Sequence, residues 1–288
     1  MKIAVLSGKG GTGKTLVSVN LAAVAKTATY IDCDVEEPNG YLFFKPKNTQ
    51  KQPVAVKIPK WNAELCNGCR ECVEFCKFNA LAYIKDKLFI FDEVCHSCGG
   101  CSLLCPQKAL TEENKVIGNI EKGSSDGVTV HTGILNIGEV SGIPIIKLLL
   151  SNNPTQKEDW TLIDCPPGSA CSVMESIQGA DYCVLVAEPT LFGVHNLQMV
   201  YELVQLLDVP YGVVINKSID SENPAETFCR DKKIKILSRI PFDHILAELN
   251  SNGEIAVRTD ETYRAMFSDL LKTIQKEVHS ETIAHSER

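Results

Sequence analysis

Lys2-Ile3-Ala4-Val5-Leu6-Ser7-Gly8-Lys9-Gly10-Gly11-Thr12-Gly13-Lys14-Thr15 opens the chain as an apolar run that breaks into glycines. The run from Lys2 to Ser7 reads as a strand, and residues from about 14 to 26 as a helix. Gly8 to Thr15 fits G-x4-G-K-[ST] between the two, the context in which the pattern carries weight. Glycines let successive backbone N–H groups turn inward on an anion, and the helix N-terminus adds partial positive charge. In this reading Lys9 through Thr15 cradle the nucleotide phosphates, Lys14 reaches the β- and γ-phosphates, and the Thr15 hydroxyl coordinates Mg²⁺.

Working outward, residues 29–31 form a second strand. Residues 115–120 and 128–135 read as a hairpin turned at Gly123 and Ser124-Ser125-Asp126-Gly127. Apolar strands over 160–163, 182–186 and 211–215 then alternate with helices near 171–179, 194–207 and 244–252. Such alternation, with strands apolar on both faces, predicts an α/β fold: a mostly parallel sheet in three layers, α/β/α. A last helix over 261–278 places Tyr263, Met266, Phe267, Leu270, Leu271 and Ile274 on one stripe. Arg264, Lys272 and Lys276 are offset by Asp269 and Glu277, so a core-packing helix fits better than a basic membrane-surface one. The tail from His279 reads as frayed.

The segment from Lys9 to Thr15 resembles the deviant phosphate loop of the MinD, ParA, Mrp and nitrogenase iron protein group. Further landmarks follow in order. Tyr30-Ile31-Asp32-Cys33-Asp34 resembles the first switch, and Leu162-Ile163-Asp164-Cys165-Pro166-Pro167-Gly168 resembles the second metal-binding motif and switch. The resemblance implies that Lys9 crosses a dimer interface to the partner subunit's nucleotide. It implies that Asp34 positions the attacking water and serves the Mg²⁺ site, and that Asp164 holds a Mg²⁺-bound water. Gly168 would offer its amide to the γ-phosphate. Asn216, in Ile215-Asn216-Lys217, would read the adenine edge, with Pro241 and Phe242 lining the base. Taken singly, Lys9 would be an ordinary exposed lysine and either aspartate a loop cap. The implied activity is slow ATP hydrolysis used as a conformational switch.

Thirteen cysteines punctuate the 288 residues, and eight lie between Cys66 and Cys105. Cys66-x2-Cys69-x2-Cys72-x3-Cys76 recurs 29 residues later as Cys95-x2-Cys98-x2-Cys101-x3-Cys105, and Ala80-Leu81 recurs as Ala109-Leu110. This is the bacterial ferredoxin spacing for two [4Fe–4S] clusters, in which the fourth cysteine of each run serves the other cluster. One cluster takes Cys66, Cys69, Cys72 and Cys105; the other takes Cys76, Cys95, Cys98 and Cys101. Pro106 follows Cys105, whereas Lys77 stands after Cys76, a departure that removes no ligand. Zinc competes for C-x2-C pairs, although its sites seldom use a triplet with an x3 follow-on. The domain plan is a phosphate-loop ATPase over 1–59 and 112–288, interrupted by a ferredoxin module over 60–111. Cys33, Cys183 and Cys229 read as bystanders, as does Cys165. Cys171, just past the second switch, is a candidate for a redox or transient metal role.

The odd number of thiols, their clustering and the lack of an export signal disfavour disulfides and point to the cytoplasm. Net charge is 29 − 36 = −7, which disfavours nucleic acid and anionic membrane as main partners. No apolar run approaches the roughly 18 residues of a membrane span. Three functions follow. The first is an ATPase, as a homodimer or a heterodimer with a related subunit, that gates electron transfer through two clusters to a redox partner. The second is an iron–sulfur or metallocofactor carrier resembling Mrp. The third is a positioning switch resembling MinD or ParA, with redox-sensing clusters.

Overall fold

The computed structural model describes residues 1–25, 27–151, 160–219 and 222–286; Lys26, the expected end of the first helix, lies outside them. The chain begins with β1 (Lys2–Leu6), α1 (Lys14–Val24) and β2 (Ala28–Asp32), then α2 (Gly40–Phe44) and a long strand β3 (Lys47–Trp61). Between β3 and the equally long β6 lie four short elements: α3 (Glu71–Phe75), β4 (Leu81–Ile84), β5 (Lys87–Ile90) and α4 (Gly100–Leu104). The rest follows as β6 (Leu110–Ser125), β7 (Val128–Leu135), α5 (Ile143–Ser151), β8 (Trp160–Asp164), α6 (Cys171–Ile177), β9 (Tyr182–Ala187) and α7 (Leu191–Leu206). It closes with β10 (Tyr211–Ser218), α8 (Pro224–Asp231), β11 (Ile236–Pro241), α9 (His244–Ser251), α10 (Ala256–Thr259) and α11 (Glu261–Ser286).

The main sheet runs β11-β10-β9-β1-β8-β2-β7-β6-β3, parallel from β11 to β7 and antiparallel across β7-β6-β3. Alternate residues of β1 separate its two cores. Ile3 and Val5 pack with Leu21, Phe267 and Leu270 on the α1/α11 side. Ala4 and Leu6 pack with Ile146, Val173, Leu197 and Val200 on the α5/α6/α7 side. Both faces of the sheet are thus covered, as the unbroken apolar strands require. The stripe on α11 is core: Tyr263, Phe267, Leu270, Ile274 and Val278 are buried. Its backbone stays helical to Ser286, past the point at which fraying was expected.

The hairpin is longer than its sequence pattern suggests. Ser125 pairs with Val128, so Gly123 to Ser125 are strand and the turn is Asp126-Gly127 alone. Both residues have positive φ, 45° and 85°, as a two-residue turn matched to strand twist demands. β3 has no counterpart in the sequence pattern. Its first half is exposed and it contains Pro53 and Pro59, tolerable because it is an edge strand.

Gly118 of β6 pairs with Leu135, the last residue of β7. Residues 110–117 therefore run beyond the C-terminal edge of the parallel strands, still paired with 55–61 of β3. This two-stranded arm carries residues 62–109 to the same side of the sheet as the glycine loop. Asn62 N–H bonds Ala109 O at 2.8 Å and closes the base of that segment. Inside it, Leu81, Leu88, Cys101 and Leu110 form a small core of their own.

Candidate nucleotide site and cysteine cavities

Register brings the charged residues together. β1, β8 and β2 are neighbours, with Val5 opposite Asp164 and Asp164 opposite Asp32. The loop after β1, the aspartate ending β8 and the Asp32–Asp34 turn after β2 thus meet at one strand edge, where open α/β sheets bind ligands. Gly13 enters α1 with φ 101°. A Cβ there would stand 2.0 Å from Asn216 Nδ2, so only glycine satisfies both the conformation and the space.

Lys14 Nζ lies 2.7 Å from Asp164 Oδ1 and 3.9 Å from Asp34 Oδ2. Burial pulls the Lys14 pKa down, but the Asp164 carboxylate outweighs it, and the amine is held above its ordinary value. Tyr30 Oη donates to Asp164 Oδ2 at 2.9 Å. Asp32 Oδ1 accepts the Asp34 amide at 3.1 Å, and Oδ2 accepts those of Asn39 and Gly40 at 3.2 and 2.9 Å. Asp32 therefore shapes the turn that presents Asp34. Burial, reinforced by Asp164, raises the Asp32 pKa. Burial, only partly offset by Lys14, pushes Asp34 up to about 6. Thr15, at the second position of α1, is half-buried beside this group. Its hydroxyl and the carboxylates of Asp34 and Asp164 supply the hard oxygen donors that suit Mg²⁺.

Three expected contacts differ. Asn216 is buried, and its Nδ2 donates to Thr12 O at 2.8 Å; in this arrangement it braces the glycine loop and does not face outward toward a base. The Gly168 amide is bonded to Ser7 O at 2.9 Å, so it does not point at a phosphate. Lys9 Nζ rests on Glu188 Oε2 at 3.1 Å, while Glu188 Oε1 takes Lys217 Nζ at 2.7 Å. Pro241 and Phe242 lie at the end of β11, exposed, with Phe242 N–H bonded to Ser218 O. Tyr30 and Asp32 stand in the segment that resembles the first switch but carried no role from sequence, and Glu188 was not singled out. Two sit on apolar strands and the third just past one, with only their partners to mark them.

The eight clustered cysteines fall into two groups. Cys66, Cys69, Cys72 and Cys105 line one cavity, with Trp61 and Tyr83. Cys76, Cys95, Cys98 and Cys101 line the other, with Phe75 and Phe78. The second is roomy, about 260 Å³, and the first tight, about 20 Å³. Among the described residues no three His, Cys, Asp or Glu side chains form a ready site for one metal ion. The sulfurs instead surround space, as thiolate ligands to a polynuclear cluster do. Backbone amides already serve two of them: Ala80 N–H to Cys76 Sγ and Ala109 N–H to Cys105 Sγ, each at 3.3 Å. Elsewhere Cys33, Cys165, Cys183 and Cys229 are buried, and burial raises their thiol pKa values. Cys171 is exposed at the start of α6 and lines neither cysteine cavity.

One contact ties the two regions. Lys115 Nζ on the arm bonds Glu139 Oε2 at 3.0 Å and Asp92 O at 3.4 Å. Glu139 lies in the loop after β7, whose Leu135 amide bonds Val35 O at 2.8 Å, next to Asp34. Gly142 of the same loop lies so close to Val35 that a Cβ would stand 2.2 Å from its methyl.

A family model described as the CobQ/CobB/MinD/ParA nucleotide binding domain matches residues 3–257. An uncharacterized protein of Methanocaldococcus jannaschii, MJ0579, is 30% identical over 259 residues, covering 88% of this chain and 90% of its own. An iron-sulfur cluster carrier protein of the same organism is 25% identical over 299 residues, covering 96% and 84%. A 55-residue stretch is 34% identical to a 7Fe ferredoxin of Hydrogenibacillus schlegelii, covering 18% of this chain and 70% of that one. The cell division ATPase MinD of Pyrococcus furiosus shares the fold at TM-score 0.59 and 19% identity, covering 96% of this chain and 98% of that chain. Among the described residues no helix is long and apolar enough to cross a membrane.

Proposed function

The chain belongs to the CobQ/CobB/MinD/ParA nucleotide-binding family, and on that premise we propose an ATP-hydrolysing switch that gates electron transfer through two [4Fe–4S] clusters to a partner protein. The observation that carries this reading is the partition of eight sulfurs into two complete sets of four, each around its own cavity. Four protein ligands per cluster favour clusters that stay with the chain. The likeness of a short stretch to a 7Fe ferredoxin supports the same chemistry.

In the ATPase part, Lys9 through Thr15 hold the phosphates, with Lys14 neutralising their charge. Thr15, Asp34 and Asp164 would hold Mg²⁺, which would supply positive charge against that developing on the phosphates. Asp34 orients the attacking water. Nucleotide phosphates compete with Asp164 for Lys14, so loading the site loosens a pair that is internal in the free chain. Lys9 acts across a dimer of two such chains, or with a related subunit, once it leaves Glu188. Phe242 and Pro241 offer a surface to the base, and Asn216 acts there by holding the loop. Residues 62–109 form the cluster module, set on the nucleotide side of the sheet by the arm. From β1 to β6 is four strand steps, roughly 19 Å at about 4.8 Å each. Nucleotide state therefore reaches the module through contacts, and Val35, the loop after β7 and Lys115 supply a continuous set.

A second reading, delivery of iron–sulfur clusters or another metallocofactor to an acceptor, is favoured by the relative named as an iron-sulfur cluster carrier protein. The comparisons back this reading better than electron transfer. The geometry weighs the other way, because among the described cysteines outside the two sets only Cys171 is exposed. Incubating the anaerobically purified protein with ATP and an apo-acceptor separates them. Electron transfer requires iron and sulfide to stay with this chain; their stoichiometric movement to the acceptor would establish the carrier.

A further inference from the structure

The repeat that builds the module relates position 61 to position 90, each five residues before the first cysteine of its run. The strands preserve the relation: Trp61 pairs with Leu110, and Ile90 pairs with Leu81. The two halves are therefore alike in backbone at this point and unlike in chemistry. Trp61 brings an indole N–H, and Ile90 brings no donor.

Trp61 lines the cavity of Cys66, Cys69, Cys72 and Cys105 and packs, as Cys72 and Cys105 do, against the small core of Leu81, Leu88, Cys101 and Leu110. Its Nε1 is buried and has no hydrogen-bond partner among the described residues. A buried donor left unpaired loses its bond to water and gains nothing in return, and native proteins seldom tolerate one without reason. The acceptors natural to this cavity are the sulfurs of a bound cluster.

We propose that Trp61 is a positioning residue that donates its indole N–H to a sulfur of the cluster held by the Cys66 set, making the two clusters electronically unequal. The proposal rests on the cluster reading above. The amide bonds from Ala80 and Ala109 are matched in the two halves, so that pair creates no difference; the side chains do, the Trp61 indole in one half and the Ser102 hydroxyl beside Cys101, where the other half has Val73, in the second. A hydrogen bond to sulfur stabilises the more negative, reduced cluster and raises its potential. The indole bond therefore raises the potential of the cluster that the Cys66 set would hold, and removing it lowers that potential alone.

The test uses the full-length, anaerobically purified protein with its clusters, and compares wild type with Trp61→Phe, which keeps the ring and removes the donor. Iron and sulfide analysis comes first: a wild-type protein without about eight of each sinks the cluster reading itself, and this inference with it. With clusters present, redox titration followed by electron paramagnetic resonance should show one of two unequal potentials falling in Trp61→Phe while the other stays. Should the variant fail to hold its cluster, wild type labelled with ¹⁵N-indole tryptophan decides the matter. The reduced cluster should couple to the label and to one exchangeable proton. Unchanged potentials in Trp61→Phe, or no coupling to the label in wild type, would overturn the proposal and leave the cluster reading standing.

Discussion

The glycine-loop site and the cysteine module solve opposite problems. At the loop, the charged groups have found one another inside the chain: Lys14 sits on Asp164, Tyr30 donates to the same carboxylate, and Asp32 takes three backbone amides. The module has four buried side chains in its core, one of them Cys101, and eight thiols set around two cavities. The first region is organised before its ligand arrives. The second has too small a core to hold itself together, and small domains in that position usually depend on metal or disulfides. Binding free energy at such sites is folding free energy.

Removing iron should set the two regions furthest apart. Chelation under anaerobic conditions should open amide exchange throughout residues 62–109, a change of orders of magnitude, while β1, β8 and α1 keep their protection. Equal protection in both regions with and without iron would show the module to be self-sufficient. Next in size is Lys14→Ala, which should weaken ATP binding by at least about 100-fold, the scale for losing one preorganised charge contact. Iron content should not change, because the module does not touch Lys14. Calorimetry and iron analysis on one preparation check both halves of that statement.

Asp34 separates stability from activity. Its pKa stands near 6 in the folded chain against an ordinary 3.8, so between those values the folded state holds more protons than the unfolded. Stability therefore falls as pH rises through that window. Asp34→Asn removes a carboxylate that the fold disfavours at neutral pH and should stabilise the nucleotide-free protein by about 1–3 kcal/mol. The same change should abolish most ATP hydrolysis. Thermal melts at pH 7 and pH 4.5 check the sign: the gain should be largest at pH 7 and shrink toward pH 4.5. The smallest effect belongs to Lys115→Ala. It should leave iron content and hydrolysis near wild type, yet uncouple amide exchange at residues 92–97 from addition of a non-hydrolysable ATP analogue.

The parallel sheet and the phosphate loop were legible because their signals are local: an apolar strand, a loop with glycines at 8, 10, 11 and 13, and a helix adjoin in sequence. The two sulfur sets were legible for the same reason, since a repeat of 29 residues announces its own symmetry. What sequence concealed is long-range. β3 gives no alternating pattern because its first half faces solvent and its pairing partner lies about sixty residues away. Asn216 was expected at a base edge, yet it lies buried against Thr12 O, a contact that depends on how β10 sits beside the loop. Glu188 and Lys115 act through residues far along the chain, and no spacing rule connects them to Lys9 or Asp92.

The proposed gating requires that nucleotide state govern the clusters. The most direct measurement is a redox titration of the anaerobic full-length protein, with and without a non-hydrolysable ATP analogue. A shift in at least one cluster potential on adding the analogue, absent in Lys14→Ala, is the expected result. Potentials that do not move in wild type, with the analogue demonstrably bound, would contradict it.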